Sequence, residues 1–120
     1  MAVVYPHSGK AAVVALIVAG APWYVGWGTG AGTSAVGDTT LFTEASETRV
    51  SGTVSTITTT ETDDTMQVVG ELVADGTKTI TNAGLFDAST AGEMLLKGDH
   101  AGVPLLLNDA IEYTMQHQQT

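Results

Sequence analysis

Apolar and polar positions alternate most cleanly near the middle and the end of the chain. In Met66–Val73, Met66, Val68 and Leu72 fall on one face and Gln67 and Glu71 on the other, the period-two pattern of a half-buried strand. In Ala110–Gln116, Ile111, Tyr113 and Met115 share one side in the same way. Lys78–Asp87 differs from both. Ile80 and Phe86 lie on one face and Leu85 on the other, so both faces carry a large apolar residue and the strand is expected to be central, with Phe86 in the core. The Thr/Val/Ser segment TRVSGTVSTITTT at 48–60 is expected to pair with Met66–Val73 across the acidic turn ETDD, with Thr59 a neutral surface position. Asp75-Gly76 reads as a hairpin turn leading into Lys78–Asp87. Ser89–Gly92 makes the next turn, before the apolar trio Met94, Leu95 and Leu96 in Glu93–Lys97.

The N-terminal third is patterned differently. Ser8 is placed to cap a short helix from about Gly9 to Val18, with Val13, Val14, Ile17 and Val18 on one face at helical spacing. A Val-rich run of this length also suits a buried strand, and the pattern does not choose between the two. Lys10 followed by Ala11–Ala21, ending in Ala19-Gly20-Ala21, has the outline of a secretory signal. The segment is read instead as part of the folded molecule, and its apolar run is about half the ~20 residues that span a bilayer. Gly20 and Pro22 stop it, and Trp23–Trp27 follows as an aromatic strand. GTGAGTSAVGD at 28–38 holds four glycines and no large residue, as a flexible loop would, and Leu41-Phe42 anchors what comes next. The expected organisation is an apolar arm or short helix over residues 1–22 and a single β-sandwich or jelly-roll-like domain over 23–120.

Composition supports an all-β reading. Nineteen threonines, β-branched and poorly suited to helices, supply much of the polar surface of a 120-residue chain that is only 14% charged, against about 25% in an average domain. Four basic residues against thirteen acidic give a net charge of −9, which repels nucleic-acid phosphates and anionic lipid headgroups. Without cysteine there is no disulfide, thiolate metal site or thiol nucleophile.

Candidate chemistry is thin. Gly26, Gly28, Gly30 and Gly32 alternate, but a dinucleotide fingerprint needs a helix to open after them, and Thr33–Asp38 continues as loop. Ser8-Gly9-Lys10 lacks the upstream glycine of a phosphate loop, and Ala11 stands where a hydroxyl is needed. Glu61, Asp63 and Asp64 lack the spacing and distal glutamate of a calcium loop and read as a solvated turn. His7, His100 and His117 show no metal-ligand spacing, and no G-x-S-x-G elbow is present. The chain is therefore expected to be non-enzymatic, with no catalytic residue, cofactor or metal. Trp23, Tyr24 and Trp27 are the candidate interface residues, because such side chains serve both cores and interface anchors.

Four segments carry a resemblance: YVGWGTGAGTSAVGDTTLFTEASETRVSGT at 24–53, QVVGEL at 67–72, ITNAGLFDASTAGEMLLK at 80–97 and NDAIEYT at 108–114. Together they resemble a family of small virion proteins of tailed bacteriophages, known as capsid cement (decoration) proteins or as tail-fibre-like proteins. The family often has an aromatic strand and a Gly-Asp turn before its last strand, where this chain has GDHAGVPLLLND. The resemblance implies a β-sandwich without catalytic residues. It also implies a homotrimer on the outer capsid surface of the virion, assembled in the bacterial cytoplasm, bridging subunits of the major capsid protein. The alternative it allows is a tail-fibre or baseplate component that contacts the host receptor.

Overall fold

The Thr/Val-rich segment after Arg49 does not stay in one sheet. A computed structural model describes residues 1–120. In it the segment forms β2 (Val50–Ser51) and β3 (Thr53–Ile57), separated by Gly52 and belonging to different sheets. The other elements are α1 (His7–Ala19), β1 (Tyr24–Gly28), β4 (Thr65–Val73), β5 (Lys78–Phe86), β6 (Met94–Leu105) and β7 (Ala110–Gln118). One antiparallel sheet has the order β2-β1-β5-β6 and the other β3-β4-β7. Strands that change sheet make the corners of a sandwich. Here only glycine fits the corner, since a Cβ on Gly52 would lie 2.3 Å from Val68 Cγ1. The long segment does pair with β4, from Thr53↔Val69 to Ile57↔Thr65, while Val50 and Ser51 pair with β1.

The main core lies between the sheets. Val25, Trp27, Ala83 and Leu85 of the first sheet meet Met66, Val68 and Leu72 of the second, and all are buried. The alternation expected for Met66–Val73 and Ala110–Gln116 is present: β4 and β7 pair along their whole lengths, with Ile111, Tyr113 and Met115 turned towards the core. The N-terminal run is the helix of the two alternatives. α1 packs on β3 and β4 with Val14 fully buried in the main core. Ser8 lies inside its first turn and does not cap it; Pro6 holds the cap position and no side chain makes the cap bond. At the other end Trp23 Nε1 donates at 2.9 Å to the Ile17 carbonyl, which also accepts from the Gly20 amide at 3.1 Å, so the indole ties the start of β1 to the helix end.

Asp75-Gly76 is a crossing between sheets, not a hairpin, because β4 and β5 belong to different sheets. A tight turn can reverse the chain without pairing the strands it joins. β6 is longer than the trio at its start suggests and includes Pro104 opposite Thr79. Proline is tolerated there because β6 is an edge strand with one side free of ladder hydrogen bonds. Its pairing with β5 slips between Ile80 and Asn82, so that residues 100–102 bulge out opposite Thr81.

β5 is central, with β1 on one side and β6 on the other. Its second face is covered by residues 29–49 folded back over the sheet. Leu41 of this layer and Phe86 of β5 beneath it are both buried, apart from the main core. The layer is not a loose loop: Thr29 N donates to Thr43 O at 3.0 Å, Gly30 N to Phe42 O at 2.8 Å, and Ala45 N to Trp27 O at 3.0 Å. The alternating glycines explain how it lies so close. A Cβ on Gly28 would stand 2.5 Å from Phe42 O, and one on Gly30 2.7 Å from Thr43 Oγ1.

Phe86→Ala is expected to destabilise the fold by about 3–5 kcal/mol, the range for removing a buried ring. Thr39→Ala, exposed and outside every hydrogen bond described here, is expected to stay within about 0.5 kcal/mol. Thr59 is unsuited as the control, since its Oγ1 meets Thr65 Oγ1 at 2.7 Å. Thermal unfolding of both variants beside the parent decides the point, and equal melting temperatures would remove Phe86 from the framework.

Candidate interaction surface

The charged side chains with the most partners are tied into the framework. Glu47 is 7% exposed and sits where three parts of the fold meet. Trp27 Nε1 donates to its Oε1 at 3.1 Å and the Asp75 amide to its Oε2 at 3.0 Å. Lys78 Nζ pairs with the same carboxylate and with Asp75 Oδ1 at 2.8 Å. Burial pushes the Glu47 carboxyl upwards, but the hydrogen bonds from Lys78, the Asp75 amide and Trp27 outweigh it and leave the pKa at about 2. Hydrogen bonds to Asp75 and Glu47 hold the Lys78 ammonium above its ordinary range.

Arg49 clamps the covering layer. Its guanidinium stacks 3.5 Å from the centre of the Phe86 ring, forks onto both Glu44 oxygens at 2.8 and 2.9 Å, and donates to the carbonyls of Ala88 and Ala91. Lys97 lies over Phe42 and bonds Asp38 at 2.8 Å. Lys97 is the main reason the Asp38 carboxyl is held low, while the Ser34 amide is the main reason for Asp99. Asn82, fully buried, accepts from the Phe42 amide and donates to the Phe42 carbonyl, as a neighbouring strand would.

The acidic turn is not wholly solvated. Asp63 is exposed and Glu61 half-buried against His7, but Asp64 is buried and accepts from the amides of Thr59, Thr60 and Glu61, from Thr65 Oγ1 and from Gln118 Nε2, all at 2.8–3.1 Å. These bonds, the Glu61 amide first, hold its carboxyl well below the usual range. Asp64 therefore organises the turn between β3 and β4 and binds it to β7.

The three histidines are not brought together. His7 contacts Glu61 at 3.0 Å, His117 Nδ1 is buried without a partner, and His100 in the β6 bulge reaches across to Tyr113 of β7, Nε2 to hydroxyl 2.8 Å. Burial pushes the Tyr113 phenol up to about 12. No three histidine, aspartate or glutamate side chains converge where they could hold a metal ion, and no helix is long and apolar enough to cross a membrane.

The candidate interface residues Trp23, Tyr24 and Trp27 do not form a common exposed patch. Trp27 is 1% exposed, Trp23 is half-buried at the end of α1, and Tyr24 is half-buried opposite Phe86. An aromatic strand beside glycines gives its rings somewhere to pack, and here that place is inside the chain. Large apolar side chains reach the surface at two hydrogen-bonded turns: Val36 between Ala35 and Asp38, and the pair Leu106 and Leu107, 64% and 62% exposed. The leucine turn is fixed by bonds from the Leu106 amide to Asp109 Oδ2 at 2.8 Å and between Ala74 and residues 108–109 at 2.7–2.9 Å. The sequence signal was three leucines in a row after Pro104, of which only Leu105 is buried.

Comparison with protein-family models, curated proteins and solved structures finds no match to this chain.

Two outcomes test the polar framework. A carboxyl whose pKa falls on folding stabilises the fold fully above its unfolded pKa, and that stability is lost as pH falls towards the folded value. For Glu47 this window runs from 4.5 down to about 2. Glu47→Gln is expected to cost about 1–3 kcal/mol at neutral pH, from donors left without a charged acceptor, and to flatten the acid unfolding curve inside that window. Identical acid curves for variant and parent would count against the assignment. Asp64→Ala is expected to lower the melting temperature well beyond Asp63→Ala, although the two residues are adjacent; similar losses would show that the turn is held by other contacts.

Proposed function

We propose that this chain is a capsid cement protein of a tailed bacteriophage, a β-sandwich that binds the outer capsid surface as a trimer and bridges major capsid subunits by contact alone. The observation that carries the reading is the division of labour among its side chains. Arg49, Lys78, Lys97, Glu47 and Asp64 are all engaged in holding the framework together, while leucines stand exposed on a hydrogen-bonded turn. Exposed apolar side chains held on a rigid element suit protein–protein contact. The choice of partner rests on the resemblance, whose segments at 80–97 and 24–53 fall on β5, the start of β6, β1, β2 and the covering layer. A cement protein stabilises the assembled shell by mass action, because it binds adjoining subunits and not the free one. The high acidic charge keeps the free form soluble.

Quantitative mass spectrometry of purified particles tests this directly. A copy number in simple ratio to the major capsid protein, together with threefold density on the shell, is the expected result. A copy number matching the fibres or baseplate moves the protein to the tail, the role the same resemblance also allows.

A further inference from the structure

One end of the three-stranded sheet carries a feature that the free chain does not need. On its outer face Glu71 of β4 stands directly opposite Glu112 of β7, and both are exposed. Like charges directly opposite across a strand pair destabilise a sheet. No basic side chain relieves them: Arg49, Lys78 and Lys97 are all held in ion pairs elsewhere. The next pair on the same face is Val73 and Ala110, also exposed, with Val73 at 47%. Leu106 and Leu107 stand exposed on the same turn, whose residues Asn108 and Asp109 are bonded to Ala74, the neighbour of Val73 in sequence.

We infer that Val73, Ala110, Leu106 and Leu107, with the Glu71–Glu112 pair beside them, form the docking surface for a different protein, one that presents an apolar depression bordered by lysine or arginine. Charge decides the class of partner. A second copy brings the same paired glutamates and a net charge of −9, and Lys10 on α1 is its one basic side chain outside an ion pair with a carboxylate. A basic rim turns the repulsion between the glutamates into attraction and, being electrostatic, also steers the approach. The turn is already fixed, so little ordering accompanies binding. The inference deepens the contact role proposed above and rests on it.

The test places the photo-crosslinking residue benzoylphenylalanine at Leu107 of the full chain, produced in cells that assemble the particle. The expected result is a cross-link to a different protein, at a peptide containing lysine or arginine, that falls about tenfold or more in the E71K/E112K double variant. Cross-links only to another copy of this chain, no cross-link at all, or one unaffected by the charge reversal overturns the inference. A second measurement needs no partner. In the free protein E112K is expected to raise the melting temperature by pairing with Glu71, and an unchanged or lower value overturns the argument from repulsion. The two readings fail separately. A cross-linked partner other than the major capsid protein removes the cement role and leaves this surface standing, whereas a capsid-matched copy number without a cross-link at Leu107 does the reverse.

Discussion

β5 has to be covered on both faces in a chain with only one other sheet to cover it. The second sheet buries Ala83 and Leu85; nothing but a loop is left for Asn82, Gly84 and Phe86. Residues 29–49 meet that need, and most of the unusual local features follow from it. The glycines of β1 and its extension let the returning chain approach, Asn82 supplies the hydrogen bonds that a missing strand would have made, and Arg49 closes the layer by stacking on Phe86. A covering made of loop buries polar backbone, and each buried group without a partner costs about 1–3 kcal/mol. That is why charged side chains are concentrated at its margins.

Glu47 ties this layer to the rest. It accepts from Trp27 in the main core, from the Asp75 amide at the crossing between sheets and from Lys78 at the start of β5. One carboxylate thus joins the covering layer, the inter-sheet core and the connection between the sheets. Asp64 has a comparable role at the opposite end of β4, where it gathers three amides of its turn and the end of β7.

Much of the framework was legible in the sequence, because burial on one face imposes a period that no tertiary accident erases. The alternation in β4 and β7 and the face formed by Val14, Ile17 and Val18 correspond to the structure; β5 is apolar on both faces, but the slip after Ile80 lets that residue pack in the main core with Leu85 and not on the face of Phe86, and Val13 stays outside the core. What escaped was partnership. Asp75-Gly76 announces a turn but not which sheet receives the next strand, and the corner at Gly52 resembles any glycine in a threonine-rich run. The second half of β6 was hidden by glycines and Pro104, which an edge strand tolerates. Asp64 could not be told from Asp63, since burial of one of two adjacent carboxylates depends on backbone amides supplied by the turn. Trp27 misled for a related reason: its indole nitrogen suits an interface, but Glu47, twenty residues on, satisfies it inside the fold.

The enclosure of the basic side chains also decides how the folded molecule meets reagents. Arg49, Lys78 and Lys97 expose only 6–13% of their side chains, so a protease that cuts after lysine or arginine finds its accessible site at Lys10, in the first turns of α1. Lysine-directed dyes and tethers meet the same restriction. They attach beside the helix start, at the end of β4 opposite Leu106, which keeps a label on the native protein away from Leu106 and Leu107.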